Sequence, residues 1–349
     1  MKVLFVGLGS IGQRHLRNLS ALGVASELIA YRATRHVPVL GEGGAQPEGP
    51  TLAERYGLIE VETLAEGLAR GPALVFVCNP SSLHLEVALA AAEAGAHLFL
   101  EKPLATEWEG VARLEALVAE KGLVVTVGFQ LRYDPGIEQI AAWLRAGRLG
   151  RVASALFVNG EYLPDMHPWE DYRSGYAARR DLGGGNLHTQ CHDLDLARWL
   201  FGMPRRVFAL GGQRSELELD VEDSTTLLMD CVSEGQSGGR VPVTIQLDYL
   251  RRPSERRLSV VGELGRIEWD HPSRRATLIP LEGEPEVLSF SDFQRNQLFE
   301  AELNDFLAAF AGGAPPRVGL AAGLDCLRIA LAAHRSLETG QAVDPRAVS

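Results

Sequence analysis

The first third of the chain alternates short apolar runs with segments whose apolar residues recur at helical spacing. Residues 2–6 and 74–78, KVLFV and LVFVC, each have the length of one buried strand. The predicted strands are 2–6, 28–31, 74–78, 97–100 and 123–127, and the predicted helices are 12–22, 84–94 and 108–121. Buried strands that alternate with helices are typical of a parallel sheet. We predict an α/β domain over residues 1–125, with 36–53 as a mobile loop rich in Gly and Pro.

The pattern changes after residue 125, where strand-like runs follow one another directly. In 241–248 apolar residues alternate with polar ones and a proline, which is the period of a half-buried antiparallel strand. The predicted strands are 152–158, 206–210, 224–232, 241–250, 257–261 and 266–269, with a hairpin loop at 233–240 and final helices at 296–311 and 318–337. We predict a second, α+β domain over 126–349 with an open, mainly antiparallel sheet.

Composition and charge narrow the class of protein. The 349 residues are 46% hydrophobic and 23% charged, which are ordinary values for globular domains. With 34 Lys and Arg against 45 Asp and Glu the net charge is −11, which disfavours nucleic acid or an anionic membrane as a partner. The four cysteines lie too far apart for a C-x-x-C pair. We expect a reduced, cytoplasmic protein without a signal peptide or membrane helix.

A glycine-rich turn follows the first predicted strand and opens the first helix. Gly7, Gly9 and Gly12 have G-x-G-x-x-G spacing, with Ser10 and Ile11 between the last two. In such a turn the first glycine permits the tight bend, the second admits a pyrophosphate, and the third lets helix and strand pack closely. The helix N-terminus presents N–H groups to the phosphates. We predict a dinucleotide site in a Rossmann domain; the alternative is an ordinary glycine turn.

The end of the second predicted strand bears on which dinucleotide is bound. Domains that bind NAD use an Asp or Glu there for the ribose hydroxyls, whereas this sequence has Arg32 and, shortly after it, Arg35. A guanidinium suits a 2′-phosphate, which a carboxylate would repel. We predict NADP rather than NAD as the cofactor, with solvated loop arginines as the alternative explanation.

Several further motifs occur together along nearly the whole chain. They are Asn79-Pro80-Ser81-Ser82-Leu83-His84, Glu101-Lys102-Pro103, Gly128-Phe129-Gln130-Leu131-Arg132-Tyr133, Gly183-Gly184-Gly185 and His192-Asp193-Leu194-Asp195. With the glycine turn, this set resembles the Gfo/Idh/MocA oxidoreductase family, named for glucose–fructose oxidoreductase and inositol dehydrogenase. The segment 162–173 is similar to a bacterial branch often associated with surface-sugar biosynthesis.

The resemblance implies hydride transfer between a nicotinamide cofactor and the carbinol of a sugar, cyclitol or nucleotide sugar. It also implies a homodimer or homotetramer formed through the open sheet. Lys102 would be catalytic, and His192 would be the acid/base with Asp195 beside it. Further cofactor contacts are expected at Cys78, Asn79, Pro80, His84, Glu101, Lys102 and Gln130.

The chemistry of the residues is compatible with these roles. An unperturbed imidazole has a pKa near neutral pH, which suits His192 to accepting the hydroxyl proton. The ammonium of Lys102 would orient the same hydroxyl and stabilise a developing alkoxide. The structural alternatives are a capping or core role for His192 and a surface role for Lys102 next to Glu101.

One position departs from the family pattern. Many members have an aspartate four residues before the histidine, where this sequence has His188. His188 is therefore a third catalytic candidate, which would share the proton relay or bind substrate hydroxyls. The pair His188 and His192 could also bind zinc with Asp195 as a third ligand. Since the resemblance explains His192 without a metal, we predict no metal site.

The substrate-binding candidates lie mainly in the loop before the glycine run 183–185. Aromatic faces and charged hydrogen-bonding groups bind sugars, and arginines equally suit a phosphate or a carboxylate. The candidates are Arg132, Tyr162, Trp169, Arg173 and Asp195. The alternative for this segment is a surface loop or a dimer contact.

Two other functions remain open at this point. A non-catalytic regulator with the same nucleotide-binding fold would need neither Lys102 nor His192. A zinc-dependent hydrolase built on the histidine pair would leave the glycine turn without a function. We therefore favour a cytoplasmic NAD(P)-dependent oxidoreductase that acts on CH–OH groups of a small sugar-like substrate.

Overall fold

A computed structural model describes residues 1–32, 38–41, 44–46, 49–232 and 239–348. The described residues form two compact units. The first unit contains Met1–Gly128 and Phe299–Gly323, and the second contains Phe129–Leu298 and the described residues from Leu324 onward. The sequence-based boundary places 299–323 in the second domain, whereas the structure groups this segment with the first unit.

The first unit is built on a six-stranded parallel sheet of short apolar strands. Its strands, with a separate small hairpin, are β1 Lys2–Val6, β2 Glu27–Tyr31, β3 Val39–Gly41 and β4 Gly44–Gln46 (the hairpin), β5 Ile59–Val61, β6 Leu74–Val77, β7 His97–Leu100 and β8 Val125–Val127. The strand order is β5-β2-β1-β6-β7-β8, and all neighbouring pairs are parallel. The order reverses between β1 and β6, and ligands of open α/β sheets bind at such a reversal, beyond the carboxyl ends of the strands.

Five helices of the first unit connect these strands. They are α1 Ser10–Leu22, α2 Leu52–Tyr56, α3 Leu64–Ala69, α4 His84–Glu93 and α5 Val111–Lys121. Thr51 and Thr63 cap α2 and α3 with side-chain oxygens that accept from the amides of Glu54 and Glu66. Gly23 ends α1 in the left-handed conformation.

The aromatic core of the first unit depends on a late segment of the chain. The rings of Phe5 and Phe76 stack at 4.7 Å between centroids, and those of Phe76 and Phe99 at 5.0 Å. Phe306 meets the edges of Phe76 and Phe99, and Leu303 belongs to the same buried cluster. Burial of these rings explains why 299–323 is part of the first unit, because it removes apolar surface from water.

The second unit is built on an eight-stranded sheet with helices on one face. Its strands are β9 Val152–Gly160, β10 Pro204–Gly212, β11 Ser224–Val232, β12 Arg240–Asp248, β13 Glu255–Gly262, β14 Gly265–Asp270, β15 Arg275–Pro280 and β16 Glu286–Ser289. The order is β10-β11-β12-β9-β13-β14-β15-β16; only the β9–β12 pair is parallel among these described strands. The predicted open, mainly antiparallel sheet is confirmed.

The remaining helices all begin after residue 134. They are α6 Pro135–Arg145, α7 Leu163–Met166, α8 Asn186–Thr189, α9 His192–Phe201, α10 Asn296–Phe310 and α11 Leu320–Thr339. In the described part of the chain no helix is both long and apolar enough to cross a membrane.

The structure differs from the sequence-based elements mainly where elements are short. The predicted loop 36–53 contains the β3–β4 hairpin and the start of α2 among its described residues. Strands β5, β15 and β16 were not predicted, since three to six residues of mixed polarity give little periodic signal. Helix α6, which has 11 residues, was also not predicted. The predicted hairpin loop 233–240 falls largely on residues 233–238, which lie outside the described residues.

Candidate active site

The turn between β1 and α1 requires glycine at two of its three glycine positions. Gly7 has a φ of +88°, and a Cβ there would lie 2.6 Å from the amide nitrogen of Asn79. A Cβ on Gly12 would lie 2.3 Å from the carbonyl oxygen of Gly7. Both glycines therefore allow the turn to pack against the end of β6.

Gly9 differs from these two because the position that a Cβ would occupy is open. A Cβ on Gly9 would meet no atom within 4 Å. Gly9 is also the N-cap of α1 and supplies no side-chain hydrogen bond, so the amides that begin the helix at Ser10 and Ile11 have no side-chain cap. Beside this turn, the buried Oδ1 of Asn79 has no hydrogen-bond partner among the described residues. Open space, uncapped amides and an unused acceptor fit the pyrophosphate and sugar of a dinucleotide.

The end of β2 carries an ion pair that the sequence did not predict. Arg32 donates from Nη2 to the carboxylate of Glu60 on β5, and the two side chains are 12% and 29% exposed. The pair forms because β5 lies beside β2, with Ala30 opposite Glu60 in the register. A carboxylate absent from the C-terminal end of β2 is thus present on the neighbouring strand. Arg35, the second predicted 2′-phosphate ligand, lies outside the described residues.

His84 connects the loops that follow β6 and β7. It is 1% exposed, with Nε2 2.8 Å from the carbonyl oxygen of Asn79 and Nδ1 2.7 Å from that of Pro103. Burial lowers the pKa of His84, while the hydrogen bonds to the two carbonyl oxygens, which only the protonated ring can donate together, oppose this change. His84, predicted as a cofactor contact, thus lies between the loops that contain Asn79 and Pro103. The other predicted residues of this loop lie alongside: Cys78 is buried and donates its amide to Val6, and Pro80 precedes a 3₁₀ turn.

The carboxylate of Glu101 contacts His15, which is not among the site residues predicted from the sequence. Its Oε1 lies 2.7 Å from Nε2 of His15, which is fully buried on α1 against Phe99. Its Oε2 accepts from the amide of Lys102 at 3.2 Å. This carboxylate is therefore a support for the backbone at Lys102. His15 lies three residues after Gly12 on the buried face of α1, a position that resembles core rather than site.

In the second unit, two predicted substrate ligands bind each other. Arg132 donates to both carboxylate oxygens of Asp195, at 2.8 Å from Nε and 2.5 Å from Nη2. Both side chains are buried, and the guanidinium also lies over the ring of Trp199 at 5.5 Å. Burial raises the pKa of Asp195 while Arg132 opposes that rise. The pair joins α9 to the 3₁₀ turn Gln130–Tyr133, in which the predicted cofactor contact Gln130 lies.

His192 begins α9 and is almost fully buried. Its ring meets the edge of Phe129 at 5.8 Å between centroids. The next residue, Asp193, accepts from Nδ2 of Asn159 at 2.9 Å and from Nη2 of Arg256 at 2.6 Å. These bonds fix the first turn of α9, so the direction of the His192 side chain is set by β9 and β13.

His188 lies on α8 and is paired with a second imidazole. Its ring centroid is 4.8 Å from that of His334 on α11, a residue that the sequence analysis did not single out. Both ring nitrogens of His188 and Nε2 of His334 are buried without hydrogen-bond partners among the described residues. Burial lowers the pKa of each ring to about 4, with Glu222 opposing at His188 and Arg180 reinforcing at His334. Both imidazoles are neutral at neutral pH.

The possible zinc ligands do not form a group. Asp195, the proposed third ligand, is bound by Arg132. Within the described ranges no three or more His, Cys, Asp or Glu side chains are arranged to hold a metal ion. The absence of a metal requirement stays a prediction.

The aromatic loop brings its predicted ligands into local contacts. The Arg252 guanidinium lies 3.6 Å from the ring centroid of Tyr162. Trp169 stacks on His167 at 5.1 Å. Arg173 is exposed and pairs with Asp171 and Glu218. Arg173 is therefore already engaged by carboxylates, which weakens its case as an anion ligand.

Comparison with known proteins identifies the family. A family model described as an oxidoreductase family with an NAD-binding Rossmann fold matches residues 1–129, and one for the GFO/IDH/MocA C-terminal domain matches residues 137–268. Inositol 2-dehydrogenase 3 of Saccharopolyspora erythraea is 30% identical over 98% of this chain and 95% of that protein. The chain belongs to the Gfo/Idh/MocA family. The predicted resemblance, fold class and oxidoreductase activity are thereby confirmed.

Other members of the Gfo/Idh/MocA family align over comparable lengths. Myo-inositol dehydrogenase Hyg17 of Streptomyces leeuwenhoekii is 32% identical over 97% of this chain and 98% of that protein. The crystal structure of the WlbA dehydrogenase of Bordetella pertussis, in complex with NADH and UDP-GlcNAcA, aligns with a TM-score of 0.78 at 20% identity, over 99% of this chain and 98% of that chain. At 20% identity, the similarity to the WlbA structure supports the fold alone.

Proposed function

We propose that this oxidoreductase transfers a hydride between a nicotinamide dinucleotide and a carbinol of a cyclitol, a sugar or a nucleotide sugar. The open space at Gly9, beside the uncapped N-terminus of α1, carries the proposal because it admits a pyrophosphate. The substrate class is supported by the inositol dehydrogenases that are similar to nearly the whole chain.

The residues of the chain have separate tasks in this proposal. When bound, the nicotinamide supplies the acceptor or donor of the hydride. His192 takes the proton of the substrate hydroxyl during oxidation and returns it during reduction. Lys102 donates a hydrogen bond to the same oxygen and stabilises its negative charge. These two roles are the ones predicted from the sequence.

Other residues act by positioning these two. Glu101, bound to His15, fixes the backbone at Lys102. The Arg132–Asp195 pair and the bonds of Asp193 fix the start of α9. His188 is proposed to contact substrate hydroxyls as a neutral ring, which donates through one nitrogen and accepts through the other. Tyr162 and Trp169 are proposed to offer ring faces to the substrate.

We also propose that the chain binds both NADP and NAD, with NADP the tighter. Arg32 supplies the guanidinium for a 2′-phosphate. The carboxylate of Glu60 limits the margin, because it neutralises Arg32 and can accept from the hydroxyls of an unphosphorylated ribose.

The same proposal extends to assembly and compartment. The face of the eight-stranded sheet that carries Leu210, Leu228, Val261 and Val287 leaves these side chains 42–61% exposed. We propose that a homodimer or homotetramer forms through this face, as exposed apolar patches mark interaction surfaces. The four buried cysteines are all thiols, and we propose a cytoplasmic location on that basis.

A substrate panel tests the function. Purified protein is incubated with NAD or NADP and with inositols, free sugars, sugar phosphates and nucleotide sugars, and the absorbance of reduced nicotinamide is followed. At least one polyol should give turnover that His192→Ala lowers strongly. Tight cofactor binding without turnover on any member of the panel would favour the non-catalytic regulator.

A further inference from the structure

One cavity of the second unit is not used by any role proposed above. It has a volume of about 70 Å³, several times the roughly 10–15 Å³ that one water molecule requires. Its lining includes Asp134, Trp269, His271, Arg274, Phe293 and Arg295. Basic and aromatic side chains therefore meet around a space larger than a single water.

Arg274 contributes an uncompensated positive charge to this lining. It lies in the turn between β14 and β15 with a φ of +52°, a conformation that residues other than glycine seldom adopt. Its amide donates to the carbonyl of His271 at 3.1 Å, and its Nη1 reaches only the carbonyl of Ser291, at 3.5 Å. Across the part of the chain that the structure describes, Arg274 has no carboxylate partner.

The pKa of His271 responds to the charged side chains around it. Its pKa is lowered to about 4, first by burial and then by the charges of Arg256, Arg295 and Arg274, with Asp193 opposing them. Three guanidiniums from β13, the β14–β15 turn and the segment before α10 thus act at one ring. A site where cations converge favours an anionic ligand.

Neither Asp134, which lines the cavity, nor Asp193, which acts on His271, pairs with Arg274. Oδ1 of Asp134 accepts from the amides of Gly136 and Ile137 at 2.9 and 3.1 Å, as the N-cap of α6. Asp193 accepts from Arg256 at 2.6 Å. Each acid is therefore committed to a partner of its own, and neither is paired with Arg274.

We propose that this cavity binds a phosphate group, with Arg274 and Arg295 as cationic ligands and His271 as a hydrogen-bond donor. The planar fork of a guanidinium matches two phosphate oxygens, and a neutral imidazole can donate through one nitrogen. The rings of Trp269 and Phe293 give an apolar wall for an organic group attached to the phosphate. The phosphate is either free or carried by a small sugar.

The test measures binding to the full chain by isothermal titration calorimetry, with saturating NADH so that phosphates cannot enter the dinucleotide site. The probes are inorganic phosphate, glucose 6-phosphate and glucose. The variant Arg274→Gly removes the guanidinium and suits the positive φ, so it should fold at least as stably as the parent. Arg275→Ala, which removes the exposed neighbouring charge, is the matched control.

We expect both phosphates to bind and glucose not to bind at this site. Arg274→Gly and Arg295→Gln should each weaken phosphate binding about tenfold or more, as hydrogen bonds to charged groups are worth that ratio, while Arg275→Ala leaves it unchanged. Tighter binding of glucose 6-phosphate than of inorganic phosphate would identify a carried phosphate, and equal binding a free one. Absence of millimolar binding, or equal binding by all variants, would overturn the proposal. Neither result depends on turnover of a substrate.

Discussion

The guanidinium of Arg32 is bound by the carboxylate of Glu60, which lies on the adjacent strand of the parallel sheet. The strand end where NAD-binding domains carry an acid for the ribose hydroxyls is followed here by Arg32, and the carboxylate that pairs with Arg32 belongs to β5. In the proposed site the two side chains would make opposite contributions to cofactor choice, because one attracts a 2′-phosphate and the other repels it.

Removing the carboxylate of Glu60 should therefore strengthen the binding of NADP relative to that of NAD. We expect Glu60→Gln to lower the dissociation constant of NADPH by about tenfold relative to that of NADH. The substitution removes a negative charge that would repel the 2′-phosphate, and we expect its effect to be comparable with that of one hydrogen bond to a charged group. Arg32→Ala should have the opposite effect. Fluorescence titration with both reduced cofactors measures the ratio. Glu27→Gln breaks the ion pair with Arg70 elsewhere on β2 and should leave the ratio unchanged; a ratio unaltered by Glu60→Gln would show that this carboxylate does not face the ribose.

The glycines of the turn should separate folding from binding. In Gly12→Ala the new methyl would lie 2.3 Å from the carbonyl of Gly7, so both the melting temperature and cofactor affinity should fall. In Gly9→Ala the methyl has free space, so the melting temperature should stay within the error of the parent while cofactor affinity falls about tenfold or more. Thermal denaturation with and without NADH tests both. An affinity unchanged in Gly9→Ala would place the pyrophosphate elsewhere.

His192 should be needed for proton transfer but not for cofactor binding. We expect His192→Ala to reduce turnover by about 10²–10⁴-fold, the usual value of general acid–base help, with the NADPH dissociation constant unchanged. Lys102→Ala should lower turnover similarly and raise the dissociation constant as well. Lys121→Ala, which removes an exposed ammonium at the end of α5, serves as the control. A turnover and pH profile of His192→Ala that match the parent would make this histidine structural.

The histidine pair should make the fold sensitive to mild acid. Burial holds the pKa of His188 and His334 near 4 in the folded chain, whereas unfolded histidines bind protons near 6.5. The unfolded state therefore binds more protons below pH 6.5, and stability present above that pH is lost as the pH falls toward 4. Together the two rings should therefore lower the free energy of unfolding as the pH falls from 6.5 to 4.

Thermal melts between pH 7.5 and 4.5 measure this loss. His334→Gln should reduce the drop in melting temperature between these limits, because one of the two buried rings no longer takes up a proton on unfolding. His167→Gln, a substitution near the surface, should not reduce it. An identical drop in His334→Gln and the parent would assign the acid sensitivity to other groups.

The local motifs could be predicted because their determinants are close together in the sequence. The turn at Gly7 and Gly12 follows from a strand, a spacing and the start of a helix. The second domain's alternation in β12 is equally local, and its register of buried residues is as expected.

The partners of these motifs could not be predicted because they come from other elements. Glu60 reaches Arg32 only because the sheet order places β5 next to β2, and β5 is a strand of three residues. His334 belongs to a regular helix with no motif around it, yet it packs against His188. His15 resembles a core residue in sequence because its face of α1 is apolar. A single chain read without contacts cannot assign such partners.

Residues 299–323 pack in the first unit, so synthesis on the ribosome cannot complete that unit before they emerge. When residue 128 has left the exit tunnel, the rings of Phe76 and Phe99 still lack Leu303 and Phe306. The nascent dinucleotide-binding unit is therefore incomplete until residues 299–323 have been translated. Its last apolar surface is covered only after the intervening sheet has emerged, so that surface stays exposed while the second unit is synthesised.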